Sequence, residues 1–121
     1  MRAASVCLAL AAASVVAAAL LQSASRAQDP AERASRGEAV YDHWCAPCHA
    51  PGPGHPGTQS LAVKYGDAVP AVILERDDLT PAAVALIVRT GVLSMPPFRK
   101  TEICDADLDA VAAYVTQNLA Q

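Results

Sequence analysis

Cys45-Ala46-Pro47-Cys48-His49 places two thiols three residues apart, with an imidazole directly after the second. That spacing lets two thioether bonds form to the vinyl groups of one haem while the histidine ligates its iron. Two other chemistries use a C-x-x-C pair. A redox dithiol of the thioredoxin kind needs a βαβ setting, and the residues around Cys45 neither alternate nor run in β-branched side chains as strands do. A zinc site needs a second ligand pair, and only Cys104, His43 and His55 remain for it, at irregular spacing. One covalently attached haem c is therefore the first expectation, with Cys45 and Cys48 as attachment residues and His49 as an iron ligand.

A second ligand is offered by Val92-Leu93-Ser94-Met95-Pro96-Pro97-Phe98. A thioether is a soft ligand suited to haem iron, and the two prolines behind Met95 restrict the backbone that would hold it. A lone methionine is otherwise core filler. Between the two ligands lies Ala50-Pro51-Gly52-Pro53-Gly54-His55-Pro56-Gly57, a stretch expected to be neither helix nor interior strand. Such a loop can offer a carbonyl to the second ring nitrogen of His49 and fix its orientation. Pro56 is the expected donor of that carbonyl and Pro53 the alternative; failing both, the segment is a surface turn. Tyr65 is a candidate donor to a haem propionate, and Arg89, Arg99 and Lys100 are candidates to balance the propionate charge. Trp44, Pro96, Pro97 and Phe98 are candidates for an apolar rim that a partner protein would meet.

The elements that must position these residues begin after a leader. Met1-Arg2 is a short positive start, Ala3 to Leu21 carries no charge, and Ser25-Arg26-Ala27 supplies a small-x-small site. Residues 1–27 therefore read as an export signal cut after Ala27, with Cys7 leaving in it; the alternative is a retained membrane anchor. Residues 28–121 are then one small domain with no further membrane span, exported to the periplasm. Nine basic and twelve acidic residues are present, and Arg2 and Arg26 go with the leader, so the mature chain is clearly acidic. Nucleic acid is a poor partner for such a surface. One Trp, one Phe and three Tyr are thin filling for a core of this size, which suits a core built around a flat apolar cofactor.

Asp29 and Ser35 are rival N-caps for the first helix, each with a glutamate three residues on. From Gly37, residues Tyr41, Cys45 and Cys48 fall on one helical stripe. Leu61 to Tyr65 reads as a short helix ending near Gly66, and Ala71 to Leu74 as an apolar patch. Thr80 caps a helix with Pro81 at its first position, which runs to Thr90 and stops at Gly91. It is apolar nearly all round and should be well buried. A last helix starts at Cys104 or Asp105 and runs to about Leu119, with Leu108, Val111, Ala112 and Val115 on one face and Asp105 and Asp107 in its first turn.

This order resembles the class I mono-haem cytochrome c family across residues 28–121. The resemblance implies an all-α fold of about three to five helices wrapped around one haem, with His49 as the proximal and Met95 as the distal ligand. It also implies that Gly37 and Tyr41 pack across the last helix near Tyr114. His55-Pro56-Gly57-Thr58, Lys64-Tyr65, Glu75-Arg76-x-Asp78-Leu79-Thr80-Pro81, Val88-Arg89-x-Gly91 and Met95-Pro96-x-Phe98-Arg99-Lys100-Thr101-Glu102-Ile103 are similar to the cytochrome subunits of flavoenzymes of the 4-cresol dehydrogenase and eugenol hydroxylase kind. That likeness implies a flavoprotein oxidising para-substituted phenols as electron donor, and a cytochrome, copper protein or oxidase as acceptor. Other expectations are a general cytochrome serving another dehydrogenase or oxidase, and a haem enzyme or sensor with a labile methionine. Where the pattern would place Ser or Thr to cap the last helix stands Cys104, a weaker acceptor; its thiol is either accessible, and so open to oxidation or an intermolecular disulfide, or a small buried group with no role.

Overall fold

The structure, a computed structural model, describes residues 29–117; the expected leader of residues 1–27 and Leu119 lie outside them. The chain divides into two compact units, residues 1–33 and 34–121. Of the first, the described part is the opening of helix α1 (Pro30–Val40). There Asp29 settles the rivalry of caps: its Oδ1 accepts from the Ala31 amide at 2.9 Å, and Pro30, which has no N–H to lose, takes the first helical position.

In the second unit, α1 runs directly into a π-helical turn, Tyr41–Cys45, and then a single helical turn, Ala46–His49. The widening has a cause in Pro47. In a regular helix its ring would meet the carbonyl four residues back and leave that carbonyl unbonded. In the π turn the Ala46 amide instead reaches the Tyr41 carbonyl, five residues away. The extra residue also breaks the expected common stripe: Tyr41 is buried, Cys45 half-buried and Cys48 exposed.

Helix α2 (Pro56–Tyr65) starts five residues earlier than the sequence suggested. Pro56 sits at its first position, where a proline costs nothing, and Ser60 Oγ donates to the Pro56 carbonyl at 2.8 Å. Gly66, at φ 56°, ends it. A 3-10 turn, Ile73–Glu75, carries the apolar patch. Helix α3 (Pro81–Thr90) begins and ends where expected, with Thr80 Oγ1 accepting from the Ala83 amide at 3.2 Å. Its burial was overestimated: Val88 is its one buried residue and Leu86 is 63% exposed. A helix of mixed Ala, Val, Leu and Ile carries no polar stripe to mark the face that meets water.

Helix α4 (Asp105–Val115) is the centre of the core. Leu108, Val111 and Val115 pack with Tyr41, Val88 and Ile103, and full burial of an aliphatic side chain of this kind contributes about 1.5–3 kcal/mol. Helix α3 packs along α4. α1 crosses α4 at Gly37, where a Cβ would collide with the Ala110 carbonyl oxygen and lie 2.7 Å from Tyr114 Cβ. The contact lets the Tyr41 and Tyr114 rings meet at 5.7 Å. Among the described residues there are four helices and no strand beyond an isolated bridge between Val92 and Met95. None of these helices is long and apolar enough to cross a membrane.

Candidate haem site

The π turn and the helical turn after it bring Cys45, Cys48 and His49 onto one short segment, and the neighbouring residues grip its backbone carbonyl by carbonyl. His55 Nδ1 stands 3.2 Å from the Pro47 oxygen. Since a carbonyl only accepts, that nitrogen carries the hydrogen. Gly57 lies against the Cys48 oxygen, which a Cβ would approach to 2.7 Å. Tyr41 Oη donates to the His49 oxygen at 3.2 Å, and the buried Thr58 donates through Oγ1 to the Ala50 oxygen at 3.0 Å. Burial pushes the Tyr41 phenol up to about 12, with the neighbouring Cys45 adding to the rise, so the hydroxyl stays a donor at any ordinary pH.

The His49 ring packs on α2. A Cβ on Gly57 would fall 2.7 Å from His49 Cε1 and 2.9 Å from Nδ1, so glycine is what lets the imidazole lie there. Burial lowers the pKa of this ring and keeps it neutral, the form that ligates a metal. With Nδ1 covered by α2, Nε2 is the nitrogen left for iron. The expected acceptor for Nδ1 does not form: Nδ1 is buried with no hydrogen-bond partner, because Pro56 belongs to α2 and its carbonyl serves the Ser60 hydroxyl inside that helix. The Pro53 alternative fails equally.

Met95 is held by a knot at the end of α3. Gly91, at φ 69°, turns the chain back so closely that a Cβ would lie 2.7 Å from the Met95 oxygen and 2.9 Å from the Pro97 nitrogen. Val92 and Met95 exchange both backbone hydrogen bonds, at 3.1 and 2.9 Å. Leu93, at the tip between them, takes φ 52° and is 92% exposed. The Phe98 amide donates to the Val88 oxygen at 2.8 Å. Met95 is half-buried against the same core cluster that receives Cys45, Leu74, Leu79 and Val84.

Other expected residues are differently employed. Trp44 and Phe98, both half-buried, stack edge to face at 5.7 Å; Pro96 and Pro97 are exposed, as are the aliphatic Leu86, Val92 and Leu93. Arg89 and Lys100 both bond Asp105, and Arg99 bonds Glu102. Tyr65 lies under two cations, with Lys64 Nζ 4.9 Å and the Arg76 guanidinium 5.0 Å from its ring. Lys64 first, and then Arg76, hold its phenol below the ordinary value. Arg76, its side chain only 7% exposed, is gripped by both oxygens of Asp78. The Arg-x-Asp spacing was visible in the sequence, but not that it would be buried. Cys104 is exposed and provides no side-chain acceptor as cap; its Sγ donates to Asp107 Oδ2 at 3.1 Å.

The rival chemistries lose support. Burial pushes the Cys45 thiol up to about 11, the opposite of the lowered value a redox thiol needs. Among the described residues no group of three or more His, Cys, Asp or Glu is placed to hold a metal by itself. A haem fits the residues present: Cys45 and Cys48 would carry the thioethers, and His49 would offer a neutral, oriented nitrogen. No curated protein and no solved structure matches the chain. A family model described as cytochrome c oxidase, cbb3-type, subunit III matches residues 32–115, which take in α1 from Glu32 onward, α2 to α4 and the whole C-x-x-C-H segment. The chain belongs to that family of cytochrome c domains and is a mono-haem electron-transfer module holding one covalently bound c-type haem.

Proposed function

We propose that the chain is an exported one-electron carrier with His49 and Met95 as axial ligands, which accepts electrons from a flavoprotein oxidising para-substituted phenols. When bound, the haem supplies one-electron exchange between ferric and ferrous iron, and methionine as second ligand favours the ferrous state. The observation that carries the ligation reading is the Met95 knot. Gly91, the Val92 pair and the Phe98 amide fix a thioether against the core that also receives Cys45. With His49 and Met95 both holding the iron there would be no open position for a substrate, and the part of these residues would be to bind and orient the group. The flavoprotein donor is supported by the segments from His55 to Ile103 that resemble cytochrome subunits of phenol-oxidising flavoenzymes. Export to the periplasm, with residues 1–27 as a cleaved leader, is supported by the uncharged run Ala3 to Leu21 and the Ser25-Arg26-Ala27 site.

The test is a reconstitution. A flavoprotein that copurifies with the chain should reduce it when a para-substituted phenol is added and leave it oxidised without the phenol. Amino-terminal sequencing of the mature protein should begin at Gln28. A second reading, delivery of electrons to a terminal oxidase, is favoured by the description of the matching family. Oxygen uptake by membranes that depends on the added cytochrome, with no response to any phenol, would select it instead.

A further inference from the structure

The Met95 segment is pinned at its far end by a side chain that no expectation assigned to this task. Both backbone polar groups of Phe98 are taken by the last turn of α3: the amide donates to the Val88 oxygen at 2.8 Å, and the carbonyl accepts from Arg89 Nη1 at 3.1 Å. Between this anchor and the Val92–Met95 pair lie only Pro96 and Pro97, which have a fixed φ and no N–H of their own. Once both ends are held, little backbone freedom remains for Met95. The second arm of the Arg89 fork, Nη2, bonds Asp105 Oδ1 at 3.0 Å. Lys100 Nζ takes the other oxygen of that carboxylate at 2.7 Å. Asp105 is the first residue of α4, so the fork ties the end of the methionine segment to the helix at the centre of the core. The arginine side chain is 22% exposed and the Asp105 side chain 63%, so the bond to the Phe98 carbonyl is the sheltered arm of the fork and the ion pair lies open to water.

We propose that Arg89 is a positioning residue for the axial thioether: its guanidinium fork, spanning the Phe98 carbonyl and the Asp105 carboxylate, governs how often the Met95 segment opens. The inference rests on the reading that Met95 ligates the iron. A lysine would keep the charge but lacks the planar fork that reaches two acceptors at once. Simple complementing of a helix C-terminus, the ordinary role of a last-turn arginine, would be served by either residue.

The test uses the purified haem-loaded protein in its ferric form. At saturating imidazole, the rate of imidazole binding reports opening of the methionine–iron bond, and the near-infrared sulfur-to-iron band reports its presence. Arg89→Gln should raise that limiting rate about tenfold or more, the scale of a lost charge-assisted hydrogen bond. Arg89→Lys should keep most of the increase. Asp105→Asn, which leaves the Phe98 bond in place, should raise the rate only a few-fold. Arg36→Gln, which removes the ion pair with Asp107 between α1 and α4, should leave it unchanged. A limiting rate within twofold of wild type in Arg89→Gln, full rescue by Arg89→Lys, or an equal rise in Arg36→Gln would each overturn the proposal. If Arg89→Gln does not accumulate as folded protein, Arg89→Lys carries the test by the same criterion. Absence of the band from the wild-type protein would overturn the ligation reading and this inference together, whereas a band with an unresponsive rate overturns the role of Arg89 alone.

Discussion

On the His49 side, each carbonyl from Pro47 to Ala50 meets a neighbour: His55, Gly57, Tyr41 and Thr58 in turn. Thioethers at Cys45 and Cys48, both within the four residues before His49, would tether it further, so His49 should not move far even if one of those contacts fails. On the Met95 side there is no covalent tether. The thioether depends on one glycine turn, one pair of backbone hydrogen bonds and the hold of Val88 and Arg89 on Phe98. The segments that carry His49 and Met95, the two proposed ligands, therefore differ in how they fail: the histidine side should resist perturbation until the fold goes, while the methionine side should open first.

Met95→Ala should break the comparison most completely. The sulfur-to-iron band should vanish and the reduction potential should fall by an amount on the order of 0.1 V or more, with haem still covalently attached; absorption spectroscopy and potentiometry check both. Gly91→Ala comes next, because the new Cβ meets the Met95 oxygen and must also adopt φ 69°. It should cost about 3 kcal/mol in urea unfolding and weaken the band. Gly57→Ala crowds the Cys48 oxygen and the His49 ring at 2.7 Å and should cost about 2 kcal/mol, yet leave the band in place. Loss of the band in Gly57→Ala but not in Gly91→Ala would reverse the assignment of the weaker side.

Tyr41→Phe sharpens the picture at lower energy. Removing the bond to the His49 oxygen should cost about 1 kcal/mol at neutral pH. The wild-type phenol is raised to about 12, above its ordinary value of 10.0, so the folded state holds that proton more tightly than the unfolded chain. The stability linked to it is complete below the ordinary value and is lost as the pH rises towards 12. Tyr114, raised in the same direction by burial, shares that loss. Thermal melts in alkaline buffer should therefore show a shallower decline for Tyr41→Phe than for wild type. The smallest effect is expected at Leu93, which holds a positive φ while nearly fully exposed. Leu93→Asn, whose side chain tolerates that conformation, should stabilise by about 0.5 kcal/mol without moving the potential.

The haem site was legible because covalent attachment demands a fixed local spacing, and Cys45, Cys48 and His49 supply it within five residues. Helix α3 was equally plain, since Thr80, Pro81 and Gly91 act on backbone groups within a few residues of themselves. The start of α2 was misread because Pro56 and Gly57 are loop residues in most contexts. Proline is also an ordinary first residue of a helix, and here the His49 ring needs glycine beneath it.

By itself the sequence determined the cofactor, the four helices and the candidate ligands, because those follow from chemistry and periodicity over short stretches. The tertiary structure decided which face of α3 meets water, that Arg76 is buried against Asp78, that Trp44 and Phe98 meet edge to face, and that Arg89 reaches Phe98 and Asp105. Each of those depends on which other segment lies opposite. A side chain's partner across a gap in the chain is set by how the helices cross, here at Gly37 against Ala110 and Tyr114, and no local pattern records that.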